Sequence, residues 1–271
     1  MNNQSRPRKK SPFWLFFLVI VMSGFSLYII LGLQDSNRIY AEVRQELSNS
    51  VYSGGVGKIE FPGTTGSLNI PSWEVFRSGQ IWSLVSSDTP LPSSFIPDNL
   101  VDVAPPHGDN ALPMKIQSTI NTPLTALLSS AEAAGYPLML SSAYRSIADQ
   151  QSLYTAFVET KGQAAADRYV ANPGQSEHHT GLAVDLSDIS DSCSLNSDRC
   201  SLGNDSSAWL ATYAHLYGFT IRYPEGKQPI TGISYEPWHY RYVGIPLATK
   251  LYESELTLDE ALTQMHPAFA R

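Results

Sequence analysis

The stretch Ser-Glu-His-His-Thr-Gly-Leu-Ala-Val-Asp, residues 176–185, places two imidazoles and two carboxylates within ten positions. A second polar stretch, Tyr-Glu-Pro-Trp-His-Tyr at residues 235–240, adds another carboxylate and another histidine. Two histidines and one carboxylate are a recurring donor set for a catalytic Zn²⁺, with a fourth coordination position left for water. The metal lowers the pKa of that water toward 7. Together the two stretches predict a hydrolytic zinc site.

The residues alone leave one ligand open. His178 and His179 are neighbours, and on an extended chain neighbouring side chains point in opposite directions, so either could face the metal. Glu236 lies three residues before His239 and could take a proton from the water, because a carboxylate that does not bind the metal can act as a general base. A His-Glu-x-x-His helix motif is absent from the sequence.

Short helices and strands are predicted around these stretches. Thr122 followed by proline is typical of a helix N-cap, and a glycine at 135 ends that helix. Ser146 with Asp149 three residues on predicts the start of a second helix. The predicted strands are 138–142, 181–186, 219–223 and 234–243. Because helices and strands alternate without a regular βαβ rhythm, we predict an α+β fold with a small antiparallel sheet flanked by helices.

The N-terminus carries the signal of a membrane anchor. Residues 13–33 are 21 uncharged and mostly apolar residues. As a helix they would span about 31 Å, which matches a hydrocarbon core of about 30 Å. Four basic residues precede them, so residues 1–12 are expected to stay in the cytoplasm. An uncleaved anchor is favoured over a cleaved signal peptide, and both place residues 34–271 outside the cytoplasm.

Composition and charge narrow the class of protein further. The chain has 271 residues, of which 42% are hydrophobic and 16% are charged, so a disordered chain is excluded. Its formal net charge is -7, and no basic cluster occurs after the first ten residues. A nucleic-acid partner is therefore disfavoured.

The chain has two cysteines, Cys193 and Cys200, in a polar stretch. In an oxidising compartment a nearby pair in a loop predicts a disulfide, with two free thiols as the alternative. A metal site made of cysteines would need more thiols than the chain has.

Several segments resemble the VanY-type D-alanyl-D-alanine carboxypeptidases, which are metallopeptidases of the lysostaphin and hedgehog group. Residues 176–185 and 236–244 are similar to the two signature segments of that family. Residues 141–146 and 222–224 are similar to two further segments in the same order, and the resemblance covers about residues 81–245. It implies a hedgehog/D-Ala-D-Ala peptidase-like fold and zinc-dependent removal of the terminal D-alanine from peptidoglycan stem peptides.

The resemblance also implies a role for each site residue. His178, Asp185 and His239 would bind one Zn²⁺, and the family's spacing of seven between ligands selects His178 over His179. Glu236 would be the general base. The residues implied to contact substrate are Arg145, Gln150, Ser176 and Trp238, with Arg145 also counted as catalytic because its charged fork suits a carbonyl oxygen or a terminal carboxylate.

These expectations divide the chain into five units and leave alternatives for the function of the chain. The predicted units are a cytoplasmic basic head (1–12), a transmembrane anchor (13–33), a juxtamembrane linker and elaboration (34–80), a zinc carboxypeptidase domain (81–245) and a C-terminal helical tail (246–271). An L,D-carboxypeptidase or a D,D-endopeptidase would use the same zinc set on the same wall substrate. A non-catalytic, zinc-containing wall-binding module is the alternative from another class.

Overall fold

The computed structural model describes residues 57–70, 75, 77, 79–103, 114–189 and 202–265. The predicted basic head, the predicted anchor at 13–33 and both cysteines, Cys193 and Cys200, lie outside these residues. Within the described ranges, none of the helices has the length and apolar character that a membrane crossing requires.

The strands of the described residues all pair antiparallel. They are β1 (Gly57–Ile59), β2 (Leu68–Ile70), β3 (Leu100–Asp102), β4 (Lys115–Gln117), β5 (Leu138–Ser142), β6 (Ala183–Asp188), β7 (Phe219–Ile221) and β8 (His239–Tyr242). Strands β1 and β2 form one pair, β3 and β4 form another, and the remaining four form a sheet in the order β5-β6-β8-β7. The predicted combination of helices with a small antiparallel sheet is confirmed.

The helices agree with the sequence pattern in part. They are α1 (Ser118–Ala133), α2 (Ile147–Lys161), α3 (Gln163–Tyr169), α4 (Asn204–Tyr213), α5 (Gln228–Thr231), α6 (Ile245–Ser254) and α7 (Leu258–Met265), with 3₁₀ turns at Glu177–Thr180 and Ala214–Tyr217. Helix α2 begins as predicted, because the Ser146 hydroxyl accepts the Asp149 N–H at 3.0 Å. The predicted start of α1 at Thr122 is wrong, since burial of Ile120 extends this helix by a turn at its N-terminus.

The first hydrophobic core lies between α1 and one face of the four-stranded sheet. Side chains alternate across a strand, so β6 places Val184 and Leu186 in this core and Asp185 on the opposite face. The same alternation in β8 places Tyr240 in the core and His239 on the opposite face. The polar face that results is where the site residues meet.

A second hydrophobic core joins the two ends of the described chain. Phe61 and Leu68, near the β1–β2 pair, belong to the same buried cluster as Leu247 of α6 and Leu258 of α7. The fully buried Trp82 also belongs to it, and its indole N–H donates to the carbonyl oxygen of residue 243 at 2.8 Å. This core therefore extends across both predicted boundaries, at 80/81 and at 245/246.

Gly181 fixes the exit from the 3₁₀ turn that precedes β6. Its φ is +67°, and an added Cβ would lie 3.0 Å from the backbone nitrogen of Gln117. We expect Gly181→Ala to lower the free energy of unfolding by about 1–3 kcal/mol, from positive-φ strain together with crowding. Thermal unfolding of the variant measures this change.

Gly63 provides the matched control for that variant. Its φ is +77°, but an added Cβ would meet no atom within 4 Å. The loss of stability in Gly63→Ala should therefore come from backbone strain alone. Equal falls in Tm for the two variants would contradict the role of crowding at Gly181.

Candidate active site

Strand pairing brings the first two site residues together. Asp185 of β6 lies directly opposite His239 of β8 in the antiparallel register. Side chains of opposite residues on one face are about 5 Å apart at Cβ, close enough to share a ligand. The Asp185 Oδ1 lies 3.0 Å from Nδ1 of His239.

His178 reaches the same point from the 3₁₀ turn. Its Nδ1 lies 2.7 Å from the carbonyl oxygen of Ala143, and its Nε2 lies 3.3 Å from Oδ2 of Asp185. Because a carbonyl only accepts, Nδ1 carries the proton and Nε2 presents its lone pair toward Asp185. Burial lowers the pKa of His178, which favours the neutral imidazole that metals bind.

The three side chains form a compact donor group. The potential ligand atoms of His178, Asp185 and His239 all lie within 4.8 Å of one another. Burial opposes ionisation of Asp185, but the two histidines hold its pKa well below the usual range, so the carboxylate is charged. Two imidazole nitrogens and one carboxylate make a set that Zn²⁺ accepts.

His179 takes no part in this group. Its Nδ1 lies 2.7 Å from the carbonyl oxygen of Arg145, and its Nε2 accepts the Gly174 N–H at 3.1 Å. Both ring nitrogens are therefore used by the backbone. Of the two neighbouring histidines, the structure brings His178 and not His179 to Asp185 and His239.

Glu236 stands at the edge of the donor group. Its backbone N–H donates to the carbonyl oxygen of Tyr223 at 3.1 Å, and its own carbonyl accepts the N–H of His239 at 3.2 Å, which fixes the turn before β8. Its Oε2 lies 3.9 Å from Nδ1 of His239. Burial raises the pKa of Glu236 to about 7, a value suited to a carboxylate that exchanges protons near neutrality.

Arg145 follows β5 and is held from two sides. Its Nη2 donates to the Ser142 hydroxyl at 2.8 Å, and its Nη1 donates to Oε1 of Gln150 at 2.9 Å. Gln150 is only 1% exposed, and its Nε2 donates to the carbonyl oxygen of Ala171 at 2.7 Å. Both polar groups of Gln150 are thus used within the protein, and its predicted contact with substrate stays a prediction.

One cavity is lined by all eight residues that were predicted for catalysis, metal binding or substrate contact. It has a volume of about 240 Å³. The predicted residues that line it are Arg145, Gln150, Ser176, His178, Asp185, Glu236, Trp238 and His239. Ser176 caps the 3₁₀ turn, since its hydroxyl accepts the His178 N–H at 3.4 Å, and Trp238 is 40% exposed.

A second cavity is larger but lacks such a donor group. Its volume is about 590 Å³, and its lining includes His215 and Tyr252, whose rings stack at 3.9 Å. Among the residues that the structure describes, the donor group in the smaller cavity is the one set of three side chains able to hold a metal ion. Chemistry rather than size therefore identifies the candidate active site.

Comparison with known proteins assigns the chain to a family. A family model described as "VanY: D-alanyl-D-alanine carboxypeptidase" matches residues 113–245. A solved structure of a mutant vancomycin resistance D,D-pentapeptidase VanY, from a VanB-type resistance cassette and in complex with Zn(II), is 37% identical. The match covers 67% of this chain and 98% of that chain, with a TM-score of 0.53. The chain belongs to the VanY D-alanyl-D-alanine carboxypeptidase family.

Other relatives of this VanY-family chain extend the comparison. The LdcB LD-carboxypeptidase structure is 33% identical, with a TM-score of 0.61, and the match covers 69% of this chain and 87% of that chain. A D-alanyl-D-alanine carboxypeptidase of Enterococcus faecalis is 37% identical over 195 residues, 68% of this chain. The chain spans 66% of the length of that relative. A relative from Bacillus subtilis is also 37% identical, and the chain spans 66% of its length as well.

Sequence reasoning missed a buried ion cluster behind the VanY-family site. Oε1 of Glu177 accepts from Nε of Arg222 and from Nη1 of Arg241, each at 2.8 Å. Nη1 of Arg222 also donates to Oδ2 of Asp259 in α7 at 2.6 Å. All four residues are buried. The available signal was the placement of two arginines at predicted strands, because a charge that is buried has to be paired.

Proposed function

We propose that the chain is a zinc-dependent D-alanyl-D-alanine carboxypeptidase that removes the terminal D-alanine from peptidoglycan stem peptides. The observation that carries this proposal is the donor group of His178, Asp185 and His239, placed beside Glu236 in one cavity. Membership of the VanY family and the Zn(II) bound by the D,D-pentapeptidase relative support it.

In this proposal the ion would be held by Nε2 of His178, a carboxylate oxygen of Asp185 and Nδ1 of His239. These atoms face one another, and the hydrogen bond from Nδ1 of His178 to Ala143 leaves the correct nitrogen free. When bound, Zn²⁺ would polarise the scissile carbonyl and activate a water molecule for attack.

Glu236 would move the proton. Its carboxylate takes a proton from the attacking water as the bond to the carbonyl carbon forms. The protonated carboxyl then gives that proton to the amine of the leaving D-alanine as the peptide bond breaks. In the protein without metal, burial raises the pKa of Glu236 to about 7, and a bound Zn²⁺ would lower it and so favour the carboxylate that accepts the water proton.

Arg145 would bind a polar group of the substrate, either the terminal carboxylate or the scissile carbonyl oxygen. We expect Arg145→Lys to lower kcat/KM by about 10- to 100-fold, because lysine keeps the charge but cannot keep the forked contacts with Ser142, Gln150 and substrate together. Steady-state kinetics on a pentapeptide measures the effect.

The same kinetics assign the contact of Arg145. A rise in KM with kcat unchanged would indicate the terminal carboxylate, which is bound equally before and during reaction. An equal fall in kcat and kcat/KM would indicate the carbonyl oxygen, whose charge develops in the transition state. An unchanged kcat/KM would exclude both contacts.

Mass spectrometry of muropeptides tests the function itself. Purified full-length chain is incubated with pentapeptide or tetrapeptide muropeptides, with and without a chelator. Loss of one alanine from the pentapeptide alone, abolished by the chelator and restored by zinc, is the expected result. Absence of cleavage in protein shown to carry zinc would contradict the carboxypeptidase and favour cross-link cleavage or a wall-binding module.

An L,D-carboxypeptidase is the second candidate. The specific observation in its favour is the 33% identity to the LdcB LD-carboxypeptidase over 69% of this chain. In the same assay, loss of one alanine from the tetrapeptide instead of the pentapeptide would select it. The roles of the zinc ligands and of Glu236 would be unchanged.

The cellular setting is also part of the proposal. An anchor at residues 13–33 would hold residues 34–271 on the outer side of the membrane, near the wall substrate, and Cys193 and Cys200 would form a disulfide there. The 21 uncharged residues behind a basic head and the presence of both cysteines in one polar stretch support this setting. Membrane fractionation and thiol alkylation with and without reductant test the two parts separately.

A further inference from the structure

Glu177 uses its two carboxylate oxygens for different purposes. Oε1 accepts hydrogen bonds from Arg222 and Arg241. Oε2 makes no hydrogen bond within the described part of the chain and lies 3.5 Å from Nε2 of His239. That nitrogen likewise has no hydrogen-bond partner there. Glu177 is 1% exposed and His239 is 4% exposed, so two unpaired polar atoms face each other in a buried place.

The two nitrogens of His239 face opposite sides. Nδ1 faces Asp185 and the other candidate ligands, at 3.0 Å from Oδ1. A histidine that binds a metal through Nδ1 carries its proton on Nε2, and that N–H needs an acceptor when it is buried. Oε2 of Glu177 is placed to be this acceptor.

We propose that Glu177 is the positioning residue of the zinc ligand His239. Its Oε2 accepts the Nε2–H of His239, which fixes the tautomer and the orientation of the ring so that Nδ1 points at the metal. This inference rests on the proposed function, because it requires that His239 bind zinc.

Glu177 is itself held in place by a wider set of contacts. Arg222 also pairs with Asp259 of α7. Nη2 of Arg241 donates to the carbonyl oxygens of Gln80, Ile81 and Ser83. Because both arginines occupy Oε1, the carboxylate cannot rotate without breaking two buried charged contacts, and Oε2 remains directed at His239.

A purely structural role for Glu177 makes a different prediction. If the carboxylate only neutralised the arginines, its loss and the loss of Asp259 would have similar effects, since both carboxylates bind Arg222. Asp259 pairs with Arg222 from α7 and is not one of the three side chains of the donor group, so Asp259→Asn is a matched control for the loss of a buried ion pair.

The experiment compares zinc affinity in the full-length wild type, Glu177→Gln and Asp259→Asn, by competition with a chromophoric chelator. In Glu177→Gln the arginines require an acceptor, so the amide oxygen takes the place of Oε1 and the NH₂ group faces Nε2 of His239. We expect its zinc affinity to fall by about 10- to 100-fold, which is the range for lost partners of metal ligands. We expect Asp259→Asn to bind zinc as the wild type does.

Glu177→Asp keeps the test decisive if the glutamine variant does not fold. Aspartate retains the charge for the arginines but shortens the side chain by one carbon, which withdraws the second oxygen from His239. We expect weakened zinc binding and a changed visible spectrum of the Co²⁺-substituted protein. Equal losses in the Glu177 and Asp259 variants, or wild-type affinity in both Glu177 variants, would overturn the proposal. Absence of zinc binding in the wild type would instead overturn the proposed function.

Discussion

Glu236→Gln is expected to lower kcat/KM by about 10²–10⁴-fold, which is the usual contribution of a general acid–base residue. Glutamine has nearly the same shape but cannot accept the proton of the attacking water or return it to the leaving amine. Zinc content should remain at one ion per chain, because Glu236 lies outside the donor group of three. Kinetics on a pentapeptide and metal analysis of the same preparation measure the two quantities.

Glu225→Gln is the control for this result. Glu225 is an exposed carboxylate 11 positions earlier in the chain, and it lines the larger cavity instead of the candidate active site. Its replacement should leave kcat/KM unchanged. A Glu236→Gln protein that kept more than a tenth of the wild-type activity would exclude Glu236 as the base. If neither the wild type nor the variant turned over substrate while both bound wall fragments equally, the non-catalytic wall-binding module would be favoured.

His178→Ala is expected to weaken zinc binding by more than about 100-fold, since loss of a partner of a ligand already costs 10- to 100-fold. The change removes Nε2, which lies 3.3 Å from Asp185, and leaves two of the three proposed protein ligands. Activity should fall with metal content and should not recover at micromolar zinc. Chelator competition and activity assays on the same protein test both statements.

His179→Ala is the matched control, because it removes the same group from the neighbouring position. His179 bonds the backbone at Arg145 and Gly174, so its loss should lower Tm while zinc affinity stays near that of the wild type. The reverse pattern, in which His179→Ala loses zinc and His178→Ala retains it, would contradict the assignment of the ligand.

The choice between these histidines shows where the residues alone were insufficient. The argument from an extended chain predicted that the two side chains point in opposite directions, but residues 177–180 form a 3₁₀ turn. Which imidazole faces Asp185 then depends on acceptors supplied by residues 143 and 145, more than 30 positions earlier. Local pattern contains no information on those distant carbonyls, and the family resemblance supplied the answer.

Strands were easier to predict than the ends of helices. The alternation over 181–186 predicted β6 to within two residues at each end, because the side chains on one face of that strand had to be apolar. The strand predicted over 234–243 was too long, since only His239–Tyr242 is a strand. The start of α1 at Ser118 was missed, since it depends on the burial of Ile120 in the tertiary core. The cluster around Glu177 was missed for a related reason, as its arginines are 45 and 64 positions away.

The core that joins the two ends of the described chain has a consequence for the order of folding. Trp82 bonds a carbonyl 161 positions later, and Lys250 bonds the carbonyl of Thr65, 185 positions earlier. Contacts of such long sequence separation form late, because closing long loops costs entropy before the contacts compensate for it. Arg241, which binds Glu177 beside the proposed ligand His239, also donates to the carbonyl oxygens of Gln80, Ile81 and Ser83, next to Trp82 in this core. We therefore expect a newly synthesised chain to acquire its metal only after α6 and α7 have docked.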